Sequence, residues 1–293
     1  MRNPIGILRA FIVMRMKAIR SLRELTRILD VDQRVRRLCL IEDGERGYTR
    51  SVLSRFTHRV GAETLRLIIE EKVIMLLRRS SVGEVDVVLD ASFVKAWSTR
   101  HPDDSRIGFS DPDAMVGRNG RGYDLGYKLH ASVEPKRILP LASVMAPANE
   151  NEKRHAPSLV ERTRMVLGKA EVKFRSLIAD SQYSSRRVRE LVEAAVIPYS
   201  AGQRRGEAVL RVDRRFRTHG PEGEVREYRK RPAVEASFAF MKNQFGLGLN
   251  RVRGLANVSV YALLSVLCCV LNREAAESMG RPEKAISPTF FNV

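Results

Sequence analysis

Through the first eighty positions apolar residues return every three or four places, the interval that gathers them on one face of a helix. Ile7–Leu29 carries this pattern with arginines opposite, Asp32–Leu40 reads as a short basic helix, and Glu42-Asp43-Gly44 breaks it. Tyr48–Val60 follows, with Thr49 as N-cap and Val52, Phe56 and Val60 facing inward. That leaves Arg50, Arg55, His58 and Arg59 outside. Leu65, Ile68, Val73 and Leu76, flanked by Ile69 and Leu77, make the next helix strongly amphipathic.

At Gly83 the pattern changes. Val85–Leu89 is a β-branched run fit for a buried strand, and it ends in Asp90. Residues 98–121 form a polar loop long enough to carry a task of its own. Tyr123–Val133 alternates as a strand, and Ile138–Met145 is its partner across a turn at 134–137. Residues 149–168 read as a helix with Leu159, Val160, Met165 and Val166 inside, and Val172–Ala179 is a further strand, ending in Asp180. Ser184 is placed to cap a helix carrying Val188, Leu191, Val192 and Ala195, before a short strand at Val196–Tyr199. Residues 201–229 are basic and poor in periodicity, with a hairpin expected from Leu210–Phe216 and Val225–Tyr228. Pro232 suits the first turn of a helix whose Val234, Phe238, Met241 and Phe245 make a buried stripe. The apolar run Val258–Leu271 holds 14 residues, too few to span a bilayer, and reads as a core helix. The expected architecture is α/β: a mixed sheet flanked by helices over 83–275, an all-helical domain over 1–82, and a tail at 276–293.

Charge adds a partner to this picture. Lys plus Arg number 52 against 34 Asp plus Glu, a net +18 over 293 residues. Such an excess favours polyanions, nucleic acid above all. About half lies in the first eighty residues, with eighteen basic and nine acidic side chains. Two short helices around a tight turn, the second rich in exposed arginine, therefore suggest a helix-turn-helix-like DNA reader using Arg50, Arg55 and Arg59. A helical domain with a solvated basic face is the plainer alternative. The basic residues are spread over the chain, and no helix joins a high moment to an aromatic apolar face, which argues against a membrane surface. Arg9, Arg15 and Lys17 interrupt the N-terminus where a signal peptide needs an apolar core, and the three cysteines, Cys39, Cys268 and Cys269, form no disulfide framework. A soluble, cytoplasmic protein is expected. Trp97, as a large aromatic, is expected partly in the core, with base stacking as the sharper alternative.

Three carboxylates stand out. Asp90 and Asp180 each end a strand, where ligands of α/β sheets gather, and Glu235 lies on the helix opened by Pro232. Glu235 and Lys242 share one face of that helix, and Arg231 and Tyr228 approach it from just before. Taken singly, each acid is more simply a cap, a turn former or a surface ion-pair partner. Together they offer hard oxygen ligands that select magnesium or manganese, and a pair of such ions can drive phosphodiester displacement.

These residues carry a resemblance. VVLDAS around Asp90, LIADSQYSS around Asp180, and Tyr228-x2-Arg231-x3-Glu235-x6-Lys242 resemble the motif blocks of DDE transposases of the IS4/IS5-like insertion-sequence group, the last at every spacing of that group's Y-R-E-K pattern. GYKLHASVEP and LASVMAPANENEK are similar to the strands and loop between the blocks, and SLRELTRILDVDQRVRRLCLIEDGERGYTRSVLSRFTHRVG is similar to the helical domain before the core in the IS5-like branch, so the likeness covers roughly residues 20–272. It implies a ribonuclease H-like core with Asp90, Asp180 and Glu235 as catalytic residues holding two Mg²⁺ ions, with Mn²⁺ as substitute. It further implies that Tyr228, Arg231 and Lys242 hold phosphates of double-stranded DNA at terminal inverted repeats, and that a homodimer assembles there. The implied reaction frees a 3′-hydroxyl at the element's end and joins it to target DNA. A metal nuclease that never joins strands, and a DNA-binding relic of such an enzyme, are the competing readings.

Overall fold

The computed structural model describes residues 3–120, 122–199, 222–249 and 251–287. Four helices come first: α1 (Pro4–Met16), α2 (Leu22–Val31), α3 (Gln33–Leu38) and α4 (Arg50–Arg79). Side-chain caps start all four, Thr49 accepting from the Val52 amide as its sequence position leads one to expect, and likewise Asn3 from Ile5, Ser21 from Glu24 and Asp32 from Val35. The turn between α3 and α4 is not tight. Residues 39–49 intervene, and buried Arg36 organises them by donating to the carbonyls of Leu29, Glu42 and Glu45 at 3.0, 2.9 and 2.8 Å. The two helices expected on either side of Gly61 are joined through a kink at that residue, whose φ of 64° and ψ of 174° only glycine adopts without strain.

A mixed sheet follows. Its strands are β1 (Glu84–Lys95), β2 (Met115–Asn119), β3 (Gly122–Glu134), β4 (Leu139–Pro147), β5 (Lys173–Ala179) and β6 (Ala195–Val196). The hydrogen-bonded order is β2-β3-β1-β5-β6, with β4 also on β3. β1, β3 and β4 run antiparallel, whereas β5 joins β1, and β6 joins β5, in parallel. This is the ribonuclease H-like arrangement. Helix α5 (Glu152–Lys169) makes the crossover from β4 to β5 and buries Leu159, Val160 and Val166, although Met165 is exposed rather than inside.

Several local expectations are corrected. Strand β1 does not stop at Asp90 but continues to Lys95, because Ser92 and Val94 still face buried space against β3. Ser185, not Ser184, caps α6 (Arg186–Arg189), which is a single turn. The polar stretch 98–121 contains β2, and its Asp111 and Asp113 accept from the Gly254 and Leu255 amides at the start of the last long helix. Val225–Tyr228 belongs to helix α7 (Glu222–Tyr228), not to a hairpin; its proposed partner Leu210–Phe216 lies outside the described residues. The expected tail is in part ordered, since α9 (Leu255–Ser278) runs into it and Ala285 is buried beyond a short turn at Pro282–Lys284.

Helix α9 is long and apolar enough to cross a membrane on length and composition, yet most of it is buried inside the protein. It packs on α4, β4 and α1. Phe11 meets Tyr261 edge-on at 6.1 Å, Arg15 donates to the Tyr261 carbonyl at 2.7 Å, and Lys72 pairs with Glu274 at 3.0 Å. The buried side chains of the first eighty residues are thus continuous with those of the sheet, in one core from Ile7 to Val270.

Candidate active site

Parallel pairing of β1 with β5 runs as far as Leu89 opposite Ala179. The next residue on each strand is an aspartate, Asp90 on one and Asp180 on the other. There the strands part: β1 goes on beside β3, while β5 turns into a 3₁₀ turn at Ser181–Tyr183. The expectation from sequence therefore holds in substance: adjacent strands bring both acids to one place, at the end of their shared ladder. Asp90 accepts from the Ala91 amide at 2.8 Å, and Asp180 accepts from Gln182 at 2.9 Å, which fixes both carboxylates.

The third acid arrives on α8 (Pro232–Gln244), which lies against β1 and β3. Val234, Phe238, Met241 and the following Phe245 are all buried, as their spacing predicts, and this stripe turns Glu235 outward. Arg231 stands at the N-cap and faces all three carboxylates. Its guanidinium is 3.2 Å from Asp90, 3.7 Å from Asp180 and 2.5 Å from Glu235. Segments far apart in the chain thus converge on one cation. Glu235 remains half-exposed at 54%, so its share of the pairing is screened, whereas Asp90, Asp180 and Arg231 are largely withdrawn from water.

The electrostatics follow from that enclosure. Burial, offset in part by Arg231 and reinforced by the charges of Asp180 and Glu235, pushes the Asp90 carboxyl up to about 7. The same carboxylates outweigh burial at Arg231 and hold its pKa above the usual guanidinium value. Tyr183, fully buried, sits within the field of Asp90, Asp180 and Glu152; burial and those charges raise its pKa, and its hydroxyl has no hydrogen-bond partner among the described residues.

The other residues of the sequence motif divide. Tyr228 is fully buried and lies beneath Arg231, whose amide donates to the Tyr228 carbonyl at 3.0 Å; it belongs to the core, not to an open face. Lys242 is half-buried two turns beyond Glu235, makes no ion pair among the described residues, and has its pKa lowered by burial. Arg50, Arg55 and Arg59 are exposed on α4 as expected. Sequence reasoning missed the buried pair of Lys128 with Glu152 at 2.6 Å. Lys128 breaks the run of apolar and small residues in β3, and that is the signal which could have found it.

A divalent cation suits this donor set in kind: hard carboxylate oxygens, an excess of negative charge that lifts Asp90, and an unpartnered hydroxyl beside them. It does not suit the present spacing. Among the described residues no three acidic, histidine or cysteine side chains are close enough to hold an ion, and Arg231 lies between the carboxylates.

The model of the transposase DDE domain family matches residues 82–272. The chain belongs to this transposase family. The match begins just before β1 and ends within α9, so it takes in all three carboxylates and the whole sheet. No curated protein matches the transposase in sequence. Among solved structures it is similar to the piggyBac transposase synaptic complex with hairpin DNA, at 9% identity, 96% of this chain, 68% of that one and a TM-score of 0.49. It is also similar to the Mos1 transposase paired-end complex with left transposon end, at 12% identity, 97% of this chain, 79% of that one and a TM-score of 0.27.

Proposed function

We propose that this transposase, of the IS4/IS5-like insertion-sequence group, cleaves DNA at the ends of its element and joins the freed 3′-hydroxyl to target DNA. The observation that carries the reading is the convergence of Asp90, Asp180 and Glu235 on Arg231. Asp90, Asp180 and Glu235 would hold two Mg²⁺ ions, or Mn²⁺ in their place. When bound, such ions activate the attacking oxygen and stabilise the leaving one.

The chain's own residues supply position and charge. Asp90 and Asp180, each accepting from a backbone amide and largely withdrawn from water, present their oxygens at the fork between β1 and β5. Arg231 compensates the acidic cluster in the free protein and faces the same opening as Glu235, where a phosphate would approach. Tyr228 holds the backbone from which Arg231 projects. Lys242 and the exposed Arg50, Arg55 and Arg59 add phosphate contacts outside the centre. Terminal inverted repeats and target DNA are the substrates, a homodimer bridges the two ends, and the site of action is the cytoplasmic nucleoid.

The test is cleavage of a DNA fragment carrying the element's end, with and without Mg²⁺. Asp90→Ala, Asp180→Ala and Glu235→Gln should each abolish cleavage while DNA affinity survives. Pre-cut ends supplied with a target duplex should be joined by the wild-type chain. Cleavage without joining would reassign it as a nuclease, and binding without any metal-stimulated cleavage would leave a relic.

A further inference from the structure

Trp97 is the single tryptophan of the chain, and it is 49% exposed rather than packed in the core. It lies seven residues past Asp90, roughly 20 Å further at the rise of a strand. Three cavities of about 360, 350 and 580 Å³ adjoin there. The first two share Arg251 and Tyr261; the second and third share Trp97 and Arg253. Together they make one cleft between the α1–α2 turn, the start of α4 and the segment leading into α9.

The charge of this cleft is one-sided. Arg20, Arg23, Arg50 and Arg251 line it, all exposed, and none makes an ion pair among the described residues. No carboxylate lines any of the three cavities among those residues. Two nearby acids are engaged elsewhere. Asp111 accepts from Tyr127 at 2.7 Å and from the Gly254 amide at 3.0 Å, and Asp113 accepts from Leu255 at 2.9 Å. The bonds to Gly254 and Leu255, with that from Arg253 to the Trp97 carbonyl at 3.1 Å, fasten the arginine-bearing segment to the polar stretch that follows β1 and to Trp97, two residues past the end of that strand. The Arg251 guanidinium rests 5.1 Å from the centre of the Trp97 ring. Uncompensated arginines beside an exposed indole match a strand of phosphates whose bases are free to stack; in a duplex the base faces are covered and the ring has nothing to meet.

We propose that this cleft binds unpaired DNA, with Arg20, Arg23, Arg50 and Arg251 on its phosphates and one base stacked on Trp97. The inference rests on the transposase reading for its choice of DNA, and it names a site apart from the three carboxylates. Since Trp97 is the one indole, its emission reports occupancy directly. Titrating a duplex that ends in a single-stranded overhang should quench that emission, whereas a blunt duplex of the same sequence should not. Trp97→Ala should weaken overhang binding by roughly 5- to 150-fold, Trp97→Phe should restore most of it, and blunt-duplex affinity should be unchanged in both. Combining Arg20→Gln, Arg23→Gln and Arg251→Gln should reduce the salt slope of overhang binding by about 2, at about 0.7 per lost contact. Unchanged emission at saturating overhang, or equal overhang affinity in these variants, overturns the proposal while leaving duplex binding and cleavage to stand. A wild-type chain that binds neither DNA overturns both readings.

Discussion

Arg231 donates to Asp90 at 3.2 Å across 141 positions of sequence, and the contact joins the first residue of α8's approach to the fork of the sheet. A guanidinium so placed offsets the mutual repulsion of Asp90, Asp180 and Glu235 and lowers the cost of gathering like charges at one point.

That relationship predicts the behaviour of Arg231→Gln. With the cation gone, Asp90 and Asp180 are left buried and mutually repelling, and stability should fall by about 3 kcal/mol in chelator. Mg²⁺ or Mn²⁺ should then raise the Tm of the variant more than that of the wild type, because ions now enter an emptied position. Melting curves with and without metal check this; a variant indifferent to both ions would show that the carboxylates do not form a cation site.

Asp90 sets a pH dependence. Its folded pKa of about 7 lies above the ordinary 3.8, so between those values the folded state binds more protons than the unfolded one. Wild-type stability in metal-free buffer should therefore decline as pH rises through that window, by up to about 1.4 kcal/mol per unit. Asp90→Asn removes the titration. Its Tm should match the wild type near pH 4 and exceed it above pH 7, and parallel curves across that range would place the Asp90 pKa elsewhere.

Gly61 carries the kink of α4 in a backbone region closed to other residues. Gly61→Ala should cost about 1–3 kcal/mol in denaturant unfolding, with no change in the distances among the carboxylates and hence none in metal-stimulated cleavage per folded molecule. An unaltered midpoint would mean the kink is easily relieved.

Burial pushes the thiol of Cys39 up to about 11 and those of Cys268 and Cys269 up to about 12. Few thiolates exist at neutral pH, and none is accessible. Alkylation followed by mass spectrometry should leave all three unmodified in the native protein and modify all three in denaturant. Rapid labelling of native Cys268 or Cys269 would show that α9 is not held inside.

The parts of the fold written in short-range pattern were legible. The stripe Val234–Phe238–Met241–Phe245, the cap Thr49, and the β-branched runs before Asp90 and Asp180 each announce their structure locally. The acids could be found because each follows such a run or sits on such a helix. What escaped was set by neighbours distant in sequence. Strand β1 outlasts Asp90 because β3 continues to pair with it. Trp97 is exposed because the 251–257 segment is fastened beside it by Asp111 and Asp113, leaving the ring at a cleft's edge. Tyr228 is core because α7 is a helix that seats it there, and no residue near it in the chain betrays this. The bridging role of Arg231 required all three acids to be placed first.

Helix α9 has a consequence for how this chain can change over generations. Its flanks are covered on one side by the sheet and on another by α1 and α4, so the leading helices share its core. Recombination that replaced them with those of a distant cousin would set foreign side chains against Tyr261 and Glu274. Tolerated change in the N-terminal part should accordingly come by surface substitution rather than by shuffling.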